Sequence, residues 1–139
     1  MANHLIFWPM IGQVVLTIAL YFILAYRKKT ASAEGRVDQE RRGLYDDAWP
    51  TDVIQVNNCI RNQFEVPILF YVVILMLWSL NGITIATHIF SWIFLISRIV
   101  HVYVHIGTNY VPLRRSAFTV GALLTALLSV NVIYILAIQ

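Results

Sequence analysis

Four long apolar stretches, at residues 5–26, 53–80, 83–108 and 115–138, are separated by polar connections along the chain. The hydrocarbon core of a bilayer is about 30 Å thick and needs roughly 20 residues of helix to cross it, and each stretch reaches that length. Helices are required because a lone strand would leave its backbone groups unsatisfied in lipid. The pattern therefore predicts an all-α integral membrane protein, a four-transmembrane-helix bundle in a single domain over residues 1–139. The first stretch has no basic residue before it and no small-residue cleavage site after it. It ends in the basic sequence YRKKT, so it reads as a retained span and not as a cleaved leader.

The connections differ from one another. Residues 27–52 form a charged loop, RKKTASAEGRVDQERRGLYDDAWPTD, that ends in WPTD and offers Thr51 or Asp52 as a helix N-cap. The second connection is an uncharged turn around Asn81-Gly82. The third, GTNYVPLRR, carries Gly107, Pro112 and two arginines. Basic residues concentrate in the first and third connections, which the positive-inside rule assigns to the cytoplasm. The Asn81-Gly82 turn and both termini are then expected on the non-cytoplasmic side, with a bacterial inner membrane as the expected location.

Composition agrees with this reading. Of 139 residues, 59% are hydrophobic and only 12% charged, about half the charged fraction of a soluble domain. The lipid bilayer is thus the first partner. A net charge of +3 with the cations gathered in loops gives no nucleic-acid surface. The single cysteine, Cys59, excludes an internal disulfide and a cysteine-based metal cluster, and it reads as a small buried side chain.

The polar residues inside the spans carry the chemistry. Asn58, Arg61, Asn62 and Glu65 are separated by three or four residues and line one stripe of the second span; Arg98, His101 and His105 do the same on the third. At about 1.5 Å per residue, Glu65 lies about 18 Å from the start of the second span and Arg98 about 16 Å back from the end of the third, both counted from the cytoplasmic side. Equal depth and opposite charge predict an ion pair. One reading is structural, a Glu65–Arg98 staple with amides as interhelical glue. The other notes that positive groups outnumber Glu65, and expects a site for an anion. His101 and His105 have the i,i+4 spacing of helical metal ligands, which Glu65 could complete as a two-His-one-carboxylate set. Adjacent arginines repel a cation and Arg98 claims Glu65, so no metal is expected. His4 and His88 read as interfacial residues, and Asn131 as a hydrogen-bond partner for a neighbouring helix. A transporter would need the polar stripe to continue toward Asn81, where Asn131 is the only candidate.

The segments RNQFEVPILF and RIVHVYVHIGTNYVPLRRSAFTVG resemble motifs of the membrane-associated proteins in eicosanoid and glutathione metabolism, the MAPEG family. The second is most similar to the branch containing microsomal prostaglandin E synthase and the microsomal glutathione transferases. The resemblance implies a left-handed four-helix bundle, a homotrimer, and glutathione held between subunits near the cytoplasmic face. It implies a glutathione-dependent transferase or peroxidase acting on lipophilic electrophiles drawn from the bilayer. Arg114 matches the arginine that stabilises the glutathione thiolate, and Arg61, Asn62, Glu65 and His101 match glutathione-contacting positions. His105 stands where that branch has a glutathione-contacting tyrosine, Arg115 where it has a serine near the sulfur, Phe118 where it has another tyrosine, and Tyr110 where it has a loop arginine. The family also includes a non-catalytic lipid-binding member, so the alternative is a lipid-binding or scaffold subunit with a membrane-protein partner.

Overall fold

The computed structural model describes residues 3–138. Among these residues there are helices and no strands. After a 3-10 turn at Asn3–Ile6, helix α1 runs over Phe7–Ala33, α2 over Thr51–Gln63, α3 over Val66–Ser79, α4 over Ile85–Ile106 and α5 over Val111–Ile138. Four continuous or near-continuous segments, His4–Ala33, Thr51–Ser79, Ile85–Ile106 and Val111–Ile138, are long and apolar enough to cross a membrane. The chain is an integral, multi-pass membrane protein.

Three boundaries depart from expectation. Helix α1 continues past Tyr26 through the basic RKKT stretch to Ala33, so the charged connection begins later than the hydropathy edge. Helix α5 starts at Val111, with Pro112 in its first turn, where a missing N–H costs nothing. Arg114 and Arg115 are therefore helical. The third departure matters most: the second span is two helices, interrupted at Phe64–Glu65. Pro67 explains the break, because it has no N–H for the Gln63 carbonyl and its ring crowds that carbonyl. The predicted N-cap also differs. Pro50 occupies the cap of α2 with no side-chain bond, and the Asp52 carboxylate instead accepts from Arg36 at 3.0 Å.

The turn at the end of α3 is as the Asn-Gly pair suggests. Asn81 takes φ 55°, the left-handed conformation that asparagine tolerates. The N–H of Gly82 bonds the Leu77 carbonyl at 2.8 Å and that of Asn81 bonds Trp78 at 3.2 Å, the Schellman pattern. Helix α4 then opens with a reciprocal Thr84–Thr87 cap.

The opposite, charged end is tied by side chains. Arg27 donates to the Asp52 carbonyl at 2.7 Å and to the Ile106 carbonyl at 2.8 Å. Gln55 donates to the carbonyls of His105 and Gly107. The bonds to His105, Ile106 and Gly107 satisfy carbonyls that a helix C-terminus leaves unpaired and hold the end of α4 against α1 and α2, while the bond to Asp52 ties α1 to the start of α2. Within the loop, Arg41 pairs with Asp47 at 2.9 Å and Lys28 sits 4.7 Å over the Trp49 ring. The acids of this segment are thus largely occupied by its own bases.

The apolar core has two main parts. Phe70, Ile74, Leu77, Phe94 and Leu128 pack near the Asn81 end, with Phe70 and Phe94 stacked at 3.9 Å. Leu20, Val56, Cys59, Ile60 and Val102 pack nearer the charged end. Helices α4 and α5 approach closely at Gly121, where an added Cβ would lie 3.3 Å from Ser97 Oγ and 3.5 Å from the Phe94 ring. Small residues at such crossings are how membrane helices gain packing contact.

Candidate functional site

A polar layer separates the two apolar clusters. Gln13 on α1, Gln63 on α2 and Arg98 on α4 are 0%, 2% and 0% exposed. Gln13 Nε2 donates to Gln63 Oε1 at 3.0 Å, and Arg98 Nη2 donates to the same oxygen at 3.4 Å. Gln63 Nε2 donates to the Cys59 carbonyl at 2.9 Å. Arg98 Nη2 also reaches the Asn62 carbonyl at 3.3 Å, which lies beside the break in the second span. The proline-induced interruption therefore supplies an acceptor that an unbroken helix would have kept for itself.

This arrangement corrects the expected Glu65–Arg98 pair. Glu65 is exposed and lies within 4.0 Å of no basic side chain among the described residues. The reason is angular: Gln63 points into the bundle, and the turn at Phe64–Glu65 carries the carboxylate outward. The i,i+3/i,i+4 spacing holds for Asn58, Arg61 and Asn62, which share α2, while Glu65 falls in the interruption; this polar face is turned outward. Asn58, Arg61 and Glu65 are exposed and Asn62 is half-buried, while Arg98, His101 and His105 are buried. The two stripes do not face each other. Gln13 and Gln63 were missed; the signals for them were a strongly polar side chain inside an otherwise apolar first span, and Pro67 four residues after Gln63.

The stripes meet at one edge. Asn62, His101, Val111, Arg114, Arg115 and Phe118 line a cleft of about 210 Å³ near the charged end. It holds two guanidiniums and no carboxylate. Arg114 is half-buried and donates to Asn109 Oδ1 at 2.5 Å. Asn109 itself adopts φ 53° after α4, with its N–H on the Val104 carbonyl at 2.8 Å, so the loop that ends α4 also aims Arg114. The Phe118 ring is 6.0 Å from the His101 ring and 5.8 Å from the Arg98 guanidinium carbon, closing the floor of the cleft.

The other predicted residues lie around it. Arg61 bonds Asp46 Oδ2 at 2.5 Å and Asn58 Oδ1 at 3.4 Å, anchoring the loop to α2. Glu65 and Arg61 stand outside the cleft on the same outward face. His105 is buried behind His101, ring centroids 5.3 Å apart, and lies outside the cleft lining. Two smaller expectations fail: His88 is buried instead of interfacial, and Asn131 makes no side-chain hydrogen bond among the described residues. Nitrogen atoms Nε and Nη1 of Arg98 and Nδ1 of His101 are buried and unpartnered, and buried polar groups of that kind ordinarily have a partner.

The family model for the MAPEG family matches residues 5–134, nearly the whole chain. No curated protein and no solved structure matches significantly.

Proposed function

The chain belongs to the MAPEG family, and from that premise we propose that it binds glutathione at the Asn62–His101–Arg114–Arg115 cleft and transfers it to lipophilic electrophiles. The observation that carries this reading is the charge of the cleft: two arginines and a histidine, without an acid, beside half-buried Asn62. Glutathione is a net anion, and guanidiniums pair well with carboxylates and thiolates.

The size of the cleft supports a site completed by a neighbouring subunit. About 210 Å³ falls short of the roughly 300–1,000 Å³ typical of small-molecule pockets. The exposed face of Asn58, Arg61 and Glu65 also lies in a span, where polar groups face protein or water and not acyl chains. A homotrimer that covers this face would bring Arg61 and Glu65 to the ligand's outer side, Arg61 toward a carboxylate and Glu65 toward the amine. The charged end then faces the cytoplasm.

Glutathione supplies a thiol whose anion is the reactive nucleophile. Arg114, held by Asn109, favours that anion by placing a positive charge beside the sulfur, and the thiol proton leaves to solvent. Phe118 and the lipid-facing rim exclude water from an apolar electrophile entering sideways. The sulfur forms the new carbon–sulfur bond as the leaving group departs with its electron pair.

Phe118 favours a second reading. It puts an apolar ring where a hydroxyl donor would assist the thiolate, which suits a non-catalytic lipid-binding or scaffold subunit. Purified protein, glutathione and an aryl halide distinguish the two. Thiolate absorbance on adding glutathione, lost in Arg114→Ala with the oligomer intact, is the expected result. Absence of both thiolate absorbance and turnover in the wild-type protein would refute the transferase reading and leave the scaffold.

A further inference from the structure

Behind the cleft lies a second group of donors that the sequence pattern did not bring together, because Cys59 belongs to the second span and the histidines to the third. Cys59, His101 and His105 are all buried, and one ligand atom from each lies within 4.8 Å of the other two. The imidazoles are one helical turn apart and nearly perpendicular, at 84°. Nδ1 of both is buried without a hydrogen-bond partner. The Cys59 sulfur has only a long contact with Gln63 Nε2, at 3.8 Å. A buried imidazole nitrogen without a partner is costly, and two histidines that each carry one, clustered with a thiol, form a set of metal-ligating groups.

We propose that Cys59, His101 and His105 bind a soft transition-metal ion, copper(I) ahead of zinc(II). Thiolate and imidazole select such ions over magnesium or calcium, which prefer oxygen. For metal–sulfur and metal–nitrogen bonds of about 2.3 and 2.0 Å, the donors stand about 3.5 Å apart. Donors as far apart as 4.8 Å reach that spacing when each pair closes by little more than an ångström, within reach of side-chain rotation. On binding, the Cys59 thiol gives its proton to solvent as the metal–sulfur bond forms. Charge decides between the two ions. A thiolate neutralises copper(I) fully but leaves zinc(II) with one positive charge. Arg98, three residues before His101, is fully buried, with no carboxylate within 4.0 Å of it among the described residues, and penalises that remaining charge. His101 is the shared wall of this site and the cleft.

The test uses full-length, untagged protein in detergent, without glutathione, so its outcome is independent of the transferase reading. In one arm, protein cleared of metal competes anaerobically with bicinchoninate for copper(I); in the other it is titrated with cobalt(II), a spectroscopic stand-in for zinc. The expected result is one equivalent of copper(I) withdrawn per chain, with affinity reduced about 100-fold or more in Cys59→Ser and in His101→Ala, at least the loss seen when a mere supporting group of a metal site is removed. Should Cys59→Ser not fold, His105→Gln, which keeps polarity and bulk, provides the second variant with the same expected loss. No withdrawal by the wild-type protein, or withdrawal unchanged in these variants, would overturn the site. Cobalt(II) binding more tightly than copper(I), with a thiolate charge-transfer band, would overturn the preference for a monovalent ion.

Discussion

Replacing Gln63 by leucine tests whether the mid-span polar layer holds the bundle together. The side chain is 2% exposed, accepts from Gln13 on α1 and Arg98 on α4, and so joins three helices through one oxygen. Losing the neutral Gln13 bond costs about 0.6–1.7 kcal/mol in a membrane protein. Losing an acceptor for a buried guanidinium costs about 1.5–3 kcal/mol, because Arg98 keeps only the Asn62 carbonyl. The leucine returns about 1 kcal/mol through apolar packing. The loss wins, by about 1–4 kcal/mol. Reversible unfolding in mixed detergent and dodecyl sulfate measures it. Combining Gln63→Leu with Arg98→Met removes donor and acceptor together and should recover most of the loss, since apolar replacement of a buried polar pair is often neutral. A coupling energy of about 1–3 kcal/mol is expected. Glu65→Gln, by contrast, should leave the stability of the chain unchanged, because that carboxylate faces outward. Wild-type stability in Gln63→Leu, or additive single and double variants, would show that the layer is not a structural joint. A large loss in Glu65→Gln would restore the pair that the sequence suggested.

Three further outcomes follow from the same geometry. Arg27→Met should cost about 1.5–3 kcal/mol and raise amide exchange at the end of α4, where Arg27 bonds the Ile106 carbonyl; hydrogen–deuterium exchange localises the effect. Gly121→Val should destabilise by about 1–3 kcal/mol through overpacking, since its Cβ would meet Ser97 and Phe94 on α4; a lower thermal midpoint in detergent checks it. Asn109→Gly keeps the left-handed backbone but removes the acceptor for Arg114. It should weaken glutathione-thiolate absorbance about two- to tenfold, as one hydrogen bond of about 0.5–1.5 kcal/mol implies, with little change in melting.

Membrane class, the four crossings, the Asn81-Gly82 turn and the family were all legible in the order of residues. These depend on local quantities: the length of an apolar run, a residue that tolerates positive φ, and residue types at fixed spacing. That order also put Asn58, Arg61 and Asn62 on one stripe of α2, because helical periodicity is local too, but Glu65 falls in the break that follows. What periodicity cannot supply is the direction in which a stripe points, and here that was decided by rotation about the helix axis in the packed bundle. Only Phe64 separates Gln63 from Glu65, yet one is buried against Arg98 and the other faces outward. The break ahead of Pro67 amplifies that difference by freeing a backbone carbonyl for the guanidinium. Likewise, only packing of α2 against α4 brings Cys59 to His101 and His105. Depth along a helix can be counted from the chain, but a partner across the bundle is chosen by angle, and angle is a property of the assembled helices.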